Sequence, residues 1–150
     1  MHSNQYVRLL AMTALSFISM YVFMYAMVDT LANVYSNINQ FYMAGLMTTP
    51  MVIIEILLMW GMYENKRTNL MIVGASILAL GAFFLLIRQQ TAVADAQFLR
   101  SMIPHHAGAI LMCENAPLKE AELKELCRTI ISSQRSEINQ MKEKLSKLEK

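Results

Sequence analysis

The sequence predicts an all-α protein: three transmembrane helices followed by an extramembrane antiparallel helical hairpin. Three observations predict it. Residues 9–28, 41–62 and 70–87 are apolar runs that hold a single charged residue, Glu55. Charge is divided unevenly, for residues 1–87 carry only Arg8, Asp29, Glu55, Glu64, Lys66 and Arg67, and the rest follows. After Arg88 the apolar residues recur at steps of three and four, the period of an amphipathic helix. The predicted organisation is a membrane domain over 1–90 and a helical hairpin over 91–150. The mean hydropathy of +0.35 is an average over these two unlike parts.

Each run suits a span, because a hydrocarbon core about 30 Å thick needs roughly 20 helical residues. Helices alone satisfy their own backbone in lipid at such lengths. The first run is too long for the apolar region of a signal peptide, and no small-x-small site follows it, so it is read as a retained helix. Arg8, Lys66 and Arg67 flank one set of span ends, and the loop 29–40 has no Lys or Arg. The positive-inside rule then places the N-terminus and the second loop in the cytoplasm and the hairpin outside the inner membrane. A formal charge of +2 without a basic, aromatic-interleaved patch gives nucleic-acid binding little support, and no nucleic-acid partner is expected.

Two features of the spans ask for an explanation. Eleven of the 14 methionines precede residue 88. Met43, Met47, Met51, Met59 and Met62 share a face of the second span with Glu55, and Met20, Met24 and Met27 form a stripe on the first. Flexible packing between helices is the first reading, and a thioether surface for cuprous ion is the second. Glu55 reads as a mid-span carboxylate, an intramembrane polar site expected to be neutral and hydrogen-bonded to Ser16, Ser19, Ser76 or another subunit.

In the C-terminal part, residues 92–114 read as one helix. Asn115, Ala116 and Pro117 break it, and Pro117 is expected to open a second helix over 118–148. The connection is short, so the helices form an antiparallel pair. Two helices bury little core, so the hairpin wants a partner, either another copy or another membrane subunit.

The sharpest motif is Met102-Ile103-Pro104-His105-His106. Three- and four-residue spacing lets either imidazole share a face with the Met102 thioether, and Ala109 and Met112 continue that face. A turn centred on Pro117 sets His105 against Ile130, Met102 against Ser133 and Gln134, Phe98 against Glu137, and Met141 near Asp95. Gln134, Glu137 and Met141 would then add polar and thioether groups inside the hairpin. Imidazole with thioether suits copper, above all cuprous copper, better than zinc. The alternative is a hydrogen-bonded structural histidine pair. The remaining histidine is His2. Cys113 and Cys127 read first as buried free thiols, second as soft ligands, third as a bridge between chains, because the assumed register sets Cys113 more than a turn from Cys127. No catalytic arrangement is evident, and the chain is not expected to be an enzyme.

Asp95, Phe98, Met102-Ile103-Pro104-His105-His106, Ala109-Ile110 and Met112 resemble the first half of domain of unknown function 305. Glu125-Leu126, Ile130-Ile131, Gln134, Glu137-Ile138 and Met141 resemble its second helix. Met24-Tyr25, Tyr42-Met43-Ala44 and Gly61-Met62-Tyr63 resemble a membrane-anchored branch of that family. The resemblance implies a ferritin-like fold, of which this hairpin is half a four-helix bundle, and an extracytoplasmic association with copper. It implies Met102, His105, His106, Met112 and Met141 as ligands, with Glu137, Gln134 and Cys113 as additional candidates. Members often hold two such hairpins in one chain, so a single hairpin implies a homo-oligomer.

Overall fold

The computed structural model describes residues 3–149. His2 lies outside the described residues. Within them the chain is all-helical: α1 (Ser3–Phe23), α2 (Ile38–Leu58), α3 (Lys66–Arg88), α4 (Asp95–Asn115) and α5 (Ala121–Leu148), with 3-10 turns at Met24–Met27 and Leu31–Asn33. Three stretches are long and apolar enough to cross a membrane: Gln5–Met27, Ile38–Leu58 and Lys66–Arg88. The residues form two units. The first comprises 3–24 and 39–91, and the second comprises 25–38 and 92–149. Residues 25–38, expected in the first domain, thus group with the second unit, because Val28 and Tyr35 pack against its core.

In the first unit, polar side chains are spent on the backbone. Pro50 lacks an N–H and so leaves the Leu46 carbonyl without its helical donor. The Thr49 hydroxyl donates to that carbonyl at 3.3 Å. The Gly45 backbone lies against the Phe83 ring of α3, where a Cβ would collide with it. α3 starts on Asn65, whose side chain accepts from the Thr68 N–H at 3.1 Å. It stops in a Schellman turn: the Gln90 N–H donates to the Ile87 carbonyl, and the Thr91 N–H to the Leu86 carbonyl. Gln90 takes a left-handed φ of 49° there, a place where glycine is usual.

At the end that carries Arg8 and Lys66, the caps are knitted together. Asn69 is fully buried. Its Nδ2 donates to the Tyr63 carbonyl at 2.9 Å, and its Oδ1 accepts from the Tyr6 hydroxyl at 2.8 Å. Lys66 lies over the Trp60 ring and donates to the Tyr63 carbonyl. Glu55 belongs to this end rather than to mid-span, because α2 finishes at Leu58 and not at residue 62. Its partner is the Tyr63 hydroxyl, which donates to Oε1 at 3.4 Å, and not Ser16, Ser19 or Ser76. Burial first, and the Glu55 carboxylate second, push the Tyr63 hydroxyl above its ordinary range.

The second unit is built on α4 and α5. Leu99, Ile103, Ala107 and Ile110 of α4 form one core with Ile138 and Leu145 of α5, and Ala96 and Met141 pack against it. The cross-links between the helices run in opposite senses along the chain: Glu114 with Arg135, His106 with Glu137, Arg100 with Glu149. Residues 25–38 join through Ser101, which donates to Asn37 at 3.2 Å, and Gln97, which accepts from the Ile38 N–H at 3.0 Å.

Asn69→Leu keeps the branching of the side chain and deletes both bonds. It should cost the first unit about 1–3 kcal/mol by stranding buried polar groups. Unfolding of the purified protein in detergent measures it, and an unchanged midpoint refutes the role assigned to Asn69.

Candidate functional site

The motif lies in the middle of α4, and helical geometry divides it. Successive residues are about 100° apart on a 3.6-residue turn, so adjacent histidines cannot share a direction. Ile103 and His106 are buried on the side that meets α5, while His105 is exposed. The two rings stand 6.1 Å apart between centroids.

His106 is held at both nitrogens. Nδ1 lies 2.9 Å from the Met102 carbonyl, and Nε2 lies 2.7 Å from Glu137 Oε2. A carbonyl can only accept, so Nδ1 carries a hydrogen and donates it. Nε2 therefore meets the carboxylate, and the two share a proton across the helix interface. Glu137 is engaged at its other oxygen too, where the Ser133 hydroxyl donates to Oε1 at 2.7 Å. These bonds, Ser133 first and His106 second, hold the Glu137 carboxyl below the usual carboxylate range. Ser133 was placed against Met102 by sequence. The i, i+4 step to Glu137 is the signal that would have placed it correctly.

The candidate ligands are not gathered at one point. His106 and Glu137 meet. Met141 packs, half-buried, against the same core. Met102 contributes its carbonyl, and its side chain is half-buried, as is Gln134. His105 and Met112 lie on the open side of α4, with Met112 53% exposed. Among the described residues no three His, Cys, Asp or Glu side chains stand close enough to hold a metal. The donor chemistry, imidazole and thioether, fits copper in kind; the positions within one chain do not close a shell around it.

Two expectations are corrected. Cys113 is neither a free thiol nor an available ligand: it forms a disulfide with Cys127, with Cα atoms 5.2 Å apart. The facing register is corrected with it. Glu137 pairs with His106 and not with Phe98, roughly two helical turns beyond the position expected opposite that histidine. The cause is local. Pro117 does not open α5; residues 116–120 are non-helical, and α5 begins at Ala121 behind an extended Glu120. The longer connection slides α5 along α4 and brings Cys127 opposite Cys113.

Reduction of this bridge, which spans a sequence separation of 14, should lower the stability of the second unit by about 3 kcal/mol. Thermal melts with and without reductant, and of Cys113→Ser/Cys127→Ser, read it; coincident melts would show that the bond contributes nothing. Glu137 makes stability pH-dependent. Its folded-state pKa is depressed, so its contribution is complete above the ordinary carboxyl value of 4.5 and is lost as pH falls through the depressed value. Denaturation midpoints measured downward from neutral pH should fall more steeply for the wild type than for Glu137→Gln, and parallel curves would contradict the bridge.

With this geometry in place, relatives can be compared. Residues 65–145 match the family described as domain of unknown function (DUF305). The match covers more than half of the chain and takes in α3 as well as α4 and most of α5. An uncharacterized protein of Acanthamoeba polyphaga mimivirus is 32% identical over 136 residues, which is 89% of this chain and 88% of that protein. No solved structure matches the chain. By extent of match and by identity, the chain belongs to the DUF305 family.

Proposed function

We propose that the chain is a membrane-anchored copper-binding protein that sequesters copper or hands it over outside the inner membrane. The observation that carries this reading is the division of the histidine pair. His106 is fixed inside by Glu137 and the Met102 carbonyl, which leaves His105 outward on the face of Met112. One imidazole and thioethers on an open helix face make a soft, unfinished donor set. A second copy completes it. Phe98 of α4 and Leu123, Leu126 and Leu148 of α5 are 46–53% exposed, which suits α4 and α5 as half of a ferritin-like four-helix bundle. The protein is then a homo-oligomer, and copper, when bound, is held by His105, Met102 and Met112. No catalytic cycle is part of the proposal.

The disulfide supports the placement, since such bonds persist in oxidising compartments outside the cytoplasm. Arg8, Lys66 and Arg67 at one set of helix ends support a cytoplasmic N-terminus. Three crossings require that the first loop and the C-terminal helices emerge on the same side, and the grouping of residues 25–38 with α4 and α5 agrees with that.

A second reading is an accessory subunit of a larger membrane complex, with no metal at the motif. It is favoured by His106, whose two nitrogens already have partners in the chain. The two readings separate on elemental analysis and native mass of the isolated protein. Copper binding predicts cuprous affinity in the micromolar range or tighter, with His105→Ala/Met112→Leu weaker by about tenfold or more. Equal affinity in that variant and in His105→Ala/His106→Ala, with other chains co-purifying, supports the accessory subunit.

A further inference from the structure

The methionines of the first unit are not closed between helices. Met12, Met20 and Met24, from α1 and the turn that extends it, line one groove of about 830 Å³ together with Met47 and Met51 of α2. Part of each stripe seen in the sequence, Met20 and Met24 of one and Met47 and Met51 of the other, thus borders one space. The Thr48 hydroxyl, which donates to the Ala44 carbonyl at 2.7 Å, lies 3.5 Å from the Met20 sulfur, so this thioether is directed toward α2. Met47 is 43% exposed.

This arrangement separates two explanations of the methionine enrichment. Methionine used as filler ends up enclosed, with its sulfur against neighbouring side chains. Here five methionine side chains border open volume instead, the Met20 sulfur with the Thr48 hydroxyl beside it. A groove shaped only for hydrocarbon gains nothing from sulfur that leucine would not give. What sulfur adds is a neutral, polarizable lone pair with no proton to lose, a donor that prefers cuprous ion to zinc or cupric ion. Neutral donors leave only the ion's single charge in an apolar surrounding. Arg8 also lines the groove, about four turns of α1 from Met24, and repels a cation at that end. Access is therefore favoured at the Met24 end.

We propose that this groove is a thioether site for a soft monovalent cation, cuprous ion, separate from the donors on α4. It shares with the preceding section the choice of copper and no residue.

Silver ion is the probe, being soft, monovalent and stable to oxidation. Full-length protein in nanodiscs of a neutral phospholipid is equilibrated with silver and examined by elemental analysis and silver X-ray absorption. The expected result is at least one ion per chain in a sulfur-only shell, with occupancy independent of pH. Met20→Leu/Met47→Leu should weaken this class by about tenfold or more. His105→Ala/Met112→Leu should retain it, so failure at α4 and failure in the groove are read independently. Leucine preserves volume and apolarity, and the wild-type spectrum tests the shell without any substitution. A wild type with no sulfur-only shell overturns the proposal, whether the groove then holds a lipid chain or a helix of a second copy. So does a leucine variant that binds silver as the wild type does.

Discussion

The Cys113–Cys127 bridge fastens α5 to α4 near their connection, and three ion pairs tie the two helices together along their length. From that point α5 runs back along α4, so Glu137 reaches His106 and Glu149 reaches Arg100, while Arg135 reaches back toward the connection to Glu114. Of these, only the His106–Glu137 pair has a buried member, and it lies beside the core of Ile103, Ala107, Ile110 and Ile138. The others are exposed ion pairs of the kind that contribute little. Apolar packing and one covalent bond therefore fix the alignment, and the histidine bridge selects its polar detail.

Much of the architecture was legible in the sequence. Long uncharged runs have few physical outcomes, and three- and four-residue spacing marks an inward face with little ambiguity. The element ends were less legible. α3 stops at a Schellman turn whose left-handed residue is Gln90, so no glycine announces it. The start of α5 was misplaced because proline is common in a first helical turn, whereas Pro117 sits in a non-helical connection. That small error moved every facing pair. It hid the disulfide and took Glu137 away from His106. A motif marks which residues matter, and the partner of each depends on a loop length that the motif does not contain.

The first unit satisfies its backbone by different means. Thr49 answers the carbonyl left by Pro50, Asn65 answers the start of α3, and Asn69 with Lys66 answers the Tyr63 carbonyl. Glu55 fits the same pattern once α2 is seen to end at Leu58, for it lies in the last turn, beside the tyrosine that closes the cap. Methionine follows another rule in this unit, since five of its side chains border one open groove.

The disulfide also restricts how copies can join. Identical helical pairs often assemble by trading one element, each chain lending its second helix to its neighbour. Here α4 and α5 of the same chain are covalently closed next to their connection, with the Cα atoms 5.2 Å apart. Such a trade would require that bond to be cut and remade. Under oxidising conditions, any assembly of copies would have to join intact α4–α5 pairs.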